Sequence, residues 1–94
     1  MYLLSWNADT QTVFAGLGGV VTTGESVVFG EELNDLLGMI GEEGTTVEVN
    51  MTKVHRFAEG ALEEVERLMF VCSQKGAKMN LISQESVEEL MSPN

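Results

Sequence analysis

The stretch from Thr45 to Ser83 constrains the fold most. It reads TTVEVNMTKV, then HRFAEGAL, then EEVERLMFVCSQKG, then AKMNLIS. A strand, a short loop, an amphipathic helix and a second strand in that order form a β-α-β unit, whose two strands lie parallel with a right-handed connection. Sites in such sheets lie at the carboxyl ends of the strands. The loop Val54 to Leu62 is therefore the first place to look for a working surface.

At 94 residues the chain makes one domain, spanning 1–94, with a single core. A hydrophobic fraction of 44% indicates a globular chain. No apolar run approaches the roughly 20 residues that span a bilayer. Met1 leads into Tyr2-Leu3-Leu4-Ser5-Trp6 with no basic segment, so no secretory signal is expected. Cys72 stands alone, which precludes an internal disulfide and fits a reducing compartment. The cytoplasm is the expected location.

The charge is lopsided, with 15 acidic against 5 basic residues and a net charge of −10. Every Lys and Arg lies between Lys53 and Lys78, while Asp9, Glu25, Glu31, Glu32, Asp35, Glu42, Glu43 and Glu48 precede them. Neutralising phosphates needs clustered cations, so neither nucleic acid nor direct membrane insertion is expected. The acids confer solubility, or they steer the domain towards a basic protein surface.

Along the chain, Tyr2–Trp6 reads as an apolar strand and Asn7-Ala8-Asp9-Thr10 as a turn. Gln11–Leu17 reads as a second strand in hairpin with the first. Gly16, Gly18 and Gly19 suggest a bend or bulge before Val20-Val21 resumes. No G-x-G-x-x-G opens a helix, so no phosphate cradle is indicated. Thr22-x-x-Glu25 fits a capping box for helix one, and Val28, Leu33, Leu36, Leu37 and Ile40 recur at helical spacing. Gly41-Glu42-Glu43-Gly44 ends it.

Thr45–Met51 alternates with Val47, Val49 and Met51 on one side and Thr46, Glu48 and Asn50 on the other, a half-buried strand. Helix two carries Phe57, Ala61, Leu62, Val65, Leu68, Met69 and Cys72 as its apolar stripe, with Glu59, Glu63, Glu66 and Arg67 on the wet side. Lys75-Gly76 supplies a cation and a left-handed cap. Lys78–Ile82 reads as a strand, and Ser83 caps a last helix whose Val87, Leu90 and Met91 close over the core. The six methionines read as core filler.

The expected order is β-β-(β)-α-β-α-β-α. The fold class is α/β: a mixed four- to five-stranded sheet with a parallel centre and an N-terminal hairpin, covered by three helices.

In this order the chain resembles a STAS domain, the module of sulfate transporters and anti-sigma-factor antagonists. The family's first turn and helix, Gly-x-Leu-Asp followed by Thr-Ala-x-x-Leu, correspond to Gly19-Val20-Val21-Thr22 and Glu25-Ser26-Val27-Val28-Phe29. Its strand Val-x-Leu-Asn-Leu corresponds to Val47-Glu48-Val49-Asn50-Met51, and its Asp-Ser-Ser-Gly-Leu helix opening to Ala58-Glu59-Gly60-Ala61-Leu62, reached through Lys53-Val54-His55-Arg56-Phe57. Lys75-Gly76-Ala77-Lys78-Met79-Asn80-Leu81 resembles the lead-in to the last strand. The likeness spans almost the whole chain, on short and mainly apolar motifs.

The family's phosphoacceptor Ser or Thr falls on Glu59, its preceding Asp on Ala58, and the following Ser and Gly on Gly60 and Ala61. A serine kinase cannot phosphorylate a carboxylate, so the resemblance implies a family member without its usual switch. Glu59 carries about one negative charge against roughly −1.5 to −2 for phosphoserine. It either complements a helix dipole, worth about 0.3–1 kcal/mol, or acts as a fixed, imperfect phosphate mimic, or bonds a partner directly.

Catalytic chemistry finds little support. His55 is the sole histidine, and as a loop residue is expected to be exposed. Cys72 lies on an apolar stripe and reads as a small core residue. One His and one Cys with scattered carboxylates assemble no zinc site. Glu42-Glu43 and Glu63-Glu64 read as solvated pairs. No catalytic residue, metal or cofactor is assigned, and the expectation is a binding module, not an enzyme.

Its candidate surface gathers Thr22 and Thr23 before helix one, His55, Arg56, Phe57, Ala58, Glu59 and Gly60 before helix two, and Glu63, Glu66 and Arg67. Phe57 is either a core anchor or an exposed aromatic hot spot. The resemblance implies an anti-sigma-factor-antagonist role in bacterial regulation of transcription, with a kinase-type anti-sigma factor or related switch protein as partner. Regulation, if any, would fall elsewhere, for instance on Thr22, Thr23, Ser26 or Thr52. The alternative is a small STAS-like subunit of a membrane transporter or an oligomer-building domain, with a homodimer among the assemblies it admits.

Overall fold

The computed structural model describes residues 1–83. Within them lie β1 (Tyr2–Asn7), β2 (Thr12–Val21), α1 (Thr23–Ile40), β3 (Thr46–Phe57), α2 (Ala61–Gln74) and β4 (Lys78–Ile82). The four strands form one sheet in the order β1-β2-β3-β4. β1 and β2 pair antiparallel, while β2 with β3 and β3 with β4 pair parallel. This is the mixed sheet with parallel centre and front hairpin expected from the pattern. Four strands, within the expected four to five, and two helices are described; the third helix, expected to follow Ser83 with Val87, Leu90 and Met91, lies outside the described residues.

The hairpin turns where Asn7 can cap it: its side-chain oxygen accepts from the Asp9 N–H at 3.0 Å. Beyond the turn the chain corrects the first reading. Val20-Val21 is no separate strand but the end of β2, which runs through all its glycines. The glycines act as expected of a bulge, since the β2–β3 register shifts between Gly16 and Gly18 and again between Gly19 and Val20.

Those shifts also explain why β3 is longer than its alternation suggests. The period of two fails after Met51, which made Val54–Phe57 look like loop; the strand in fact continues to Phe57, opposite Val21. Each shift places an extra β3 residue against β2. After the first, Lys53 falls on the face opposite the helices, while Val54 packs against the core.

Both helices cover one face. The core joins Val13, Ala15, Leu17, Val47, Val49, Met51 and Met79 of the sheet to Phe29, Leu33 and Leu37 of α1 and Ala61, Leu62, Val65, Leu68 and Cys72 of α2. Val49 and Val65 share that buried layer, and Val49 pairs with Leu81 in the same sheet.

The α1 stripe is as expected at Leu33, Leu36, Leu37 and Ile40 and differs at one position: Phe29, not Val28, points inward, and Val28 faces solvent. Phe29 lies edge-on to Tyr2 with centroids 5.9 Å apart. On α2, Met69 is likewise on the solvent side, and Phe57 belongs to β3. The methionines are not uniformly core filler either, since Met51 and Met79 are buried while Met1 and Met39 are exposed. Helix α2 ends as expected, at Lys75 followed by Gly76 with φ of 88°. No helix among the described residues is long and apolar enough to cross a membrane.

Candidate protein-docking edge

The carboxyl ends of β2 and β3 deliver the first turns of α1 and α2 to the same edge of the sheet. The Ala58 N–H donates to the Val21 carbonyl at 2.8 Å, extending the β2–β3 pairing one residue past the strands. The Thr22 side chain then caps α1 by accepting from the Glu25 N–H at 3.1 Å. The reciprocal half of the capping box is absent: the Glu25 carboxylate instead meets the Met1 ammonium at 2.6 Å.

A second bond ties the two helix starts together. The Thr23 hydroxyl donates to the Glu59 carbonyl at 2.6 Å. Gly60, the residue before α2, holds φ of 84°, and a Cβ there would stand 3.0 Å from the Thr23 oxygen. Only glycine meets both demands without strain. Ala61 N–H to Ala58 O at 2.9 Å and Glu64 N–H to Gly60 O at 3.2 Å complete the turn.

The expected loop Val54 to Leu62 therefore shrinks to Ala58, Glu59 and Gly60. His55 and Arg56 are exposed residues of β3, not loop residues, and Phe57 is half-buried against the core. That resolves Phe57 as an anchor, not an exposed aromatic. Glu59 is exposed but precedes α2 and is not in its first turn, so the dipole role belongs to Glu63 and Glu64. Glu63 and Glu66 face solvent. Arg67 lies further along, held by Glu64 at 2.9 Å beside the groove between α1 and α2. The structure thus brings Thr22, Thr23, Ala58, Glu59 and Gly60 into one junction, with Phe57 beneath it, and leaves Glu66 and Arg67 outside.

The other hydroxyls named as modification candidates differ sharply in access. Ser26 is buried, and its oxygen lacks a hydrogen-bond partner among the described residues. Thr52 donates to the Asn50 side chain at 2.6 Å. Cys72 is wholly buried, and that burial pushes its thiol above the ordinary value, which keeps it protonated at neutral pH. Among the described residues no three His, Cys, Asp or Glu side chains gather as a metal-ion site.

Sequence reasoning missed one further surface, the sheet face opposite the helices, which carries Leu3, Phe14, Glu48, Asn50, Lys53 and Ile82 around Gly16 and Gly18. The alternation of Glu48 and Asn50 gave half the signal. The other half, Lys53, depends on the bulge.

No protein-family model matches the chain, and no curated protein matches it. Among solved structures, crystal structures of Mglu share the fold. Mglu in its L-glutamate binding form in the presence of 4.3 M NaCl superposes with a TM-score of 0.72 at 13% identity, over 95% of this chain and 27% of that one. Mglu in its native form gives 0.69 at 19% identity, over 87% of this chain and 23% of that one. At such identity the likeness is one of fold alone. This chain spans about a quarter of the length of those chains.

Proposed function

We propose that the chain is a STAS-like, cytoplasmic protein-docking domain that regulates a bacterial partner through the junction of Thr22, Thr23 and Ala58–Gly60. The partner would be a kinase-type anti-sigma factor or a related switch protein, and the role non-enzymatic. The observation that supports this reading is the exposed Glu59 at the joined helix starts. Its carbonyl is fixed by the Thr23 hydroxyl at 2.6 Å, and its carboxylate is left to solvent. With no phosphoacceptor at the position where the family carries one, docking would be unregulated there.

The test is capture of the partner kinase by wild type and by Glu59→Lys. Reversing an exposed charge changes fold stability by no more than about 0.5 kcal/mol. The variant should therefore keep its thermal midpoint and lose partner capture. Equal capture by both would sink the assignment of this surface.

A second reading has its own support. In the Mglu structures this fold is about a quarter of a longer chain, as an accessory or assembly-building domain would be. On that reading, as a transporter subunit or oligomer-building domain, co-purification recovers membrane-transport components or further copies of the chain instead of sigma-factor regulators.

A further inference from the structure

Among the described residues the helices cover one face of the sheet, and the pairing register sorts the other face into rows. One row runs Ser5, Phe14, Glu48, Asn80; the middle row runs Leu3, Gly16, Asn50, Ile82; the third holds Gly18 beside Lys53. Leu3, Phe14 and Ile82 are 59%, 41% and 41% exposed. The glycines floor a hollow of about 360 Å³ between them. Neither Glu48 nor Lys53 has an ion-pair partner among the described residues.

We propose that this face pairs with the same face of a second copy, about a two-fold axis running across the strands over the middle row. The operation lays the first row over the third. Glu48 then meets Lys53 of the second copy, and the contact occurs twice, as an isologous interface requires. Phe14 comes to lie over the second copy's Gly18, which is buried beneath Met1 and Lys53, so the ring meets those two side chains. Leu3 and Ile82 meet their own counterparts near the axis. An unrelated partner would need charges and bulk arranged to match; a second copy supplies both from the same residues.

The face measures roughly 350 Å² per copy from strand spacing and rise, under half of the roughly 800 Å² per partner of a standard interface. Self-association is accordingly weak, concentration-dependent and salt-sensitive. The inference is independent of the docking edge, since Glu59 takes no part in it.

Analytical ultracentrifugation of the full chain from about 10 µM to about 1 mM tests it. The wild type should move from monomer to dimer at about 0.15 M NaCl, where repulsion between two chains of net charge −10 is screened. Glu48→Lys and Lys53→Glu should each weaken the dimer by about tenfold, because each turns two attractive contacts repulsive. The Glu48→Lys/Lys53→Glu double variant should restore it. Phe14→Ala, at an exposed ring of the same face, should weaken it without unfolding the chain. A wild type that stays monomeric overturns the proposal. So do single variants that dimerise as well as wild type, or a double variant no better than the singles. A monomer with Leu3 and Ile82 shielded from solvent would overturn it too, and would give the face to residues 84–94 of the same chain.

Discussion

At Gly60 two constraints meet: a left-handed backbone with φ of 84°, and the Thr23 hydroxyl 3.0 Å from where a Cβ would stand. Alanine there should cost about 1–2 kcal/mol from the backbone alone, read as a lower denaturation midpoint with an unchanged m-value. Thr23→Val should remove the tie to the Glu59 carbonyl without easing the space at Gly60, since a methyl is bulkier than the hydroxyl it replaces. None of this was legible from residue types, because Gly60 gains its meaning from a threonine that bonds Glu59 across 36 positions of chain. The Thr22 cap was legible, since its bond reaches only three residues along the chain.

Among the elements, α1 and β3 show two kinds of misreading. In α1 the pattern itself was sufficient: Phe29 precedes Leu33, Leu36, Leu37 and Ile40 by 4, 7, 8 and 11 residues, the spacing of one helix face, and Val28 lies about 100° away from it. Phe29 is buried and meets Tyr2 edge-on. Phe29→Ala should therefore destabilise by about 3–5 kcal/mol, while Val28→Ala stays within about 0.5 kcal/mol; chemical denaturation of the two variants checks the phase directly. Strand β3 was read too short because its alternation breaks at a bulge. A bulge adds a residue to one strand, reversing which side later residues face, and only the neighbouring strand reveals that. By contrast β4 was read correctly at Lys78–Ile82, a short strand bounded by Gly76.

Over the whole molecule the net charge of −10 on 94 residues dominates. Three ion pairs form among the described residues, Met1–Glu25, Glu64–Arg67 and Glu42–Lys75, and they leave most of the carboxylates unpaired with a cation. Self-repulsion of that kind is screened by salt, with a Debye length falling from about 10 Å at 0.1 M to about 3 Å at 1 M. The thermal midpoint of the dilute monomer should rise as NaCl is raised across that range, measured by circular dichroism. A flat or falling midpoint would mean that surface repulsion contributes little. Two copies of charge −10 also repel, so the same additions screen that repulsion while weakening the Glu48–Lys53 pairs, and charge reversal at those two residues, not the salt response, reports the pairs.

The order of apolar periods determined, without any coordinates, that a hairpin precedes two β-α-β units and that both helices must lie against a sheet. Those are local patterns, each set within one turn of helix or one run of strand. The tertiary structure decided what depends on neighbours distant in the chain. It continued β2 through its glycines, turned Lys53 to the face opposite the helices, and joined Thr23 to Glu59. Each of these is a contact across the sheet or between helix starts, where the energy belongs to the pair and neither residue carries it alone.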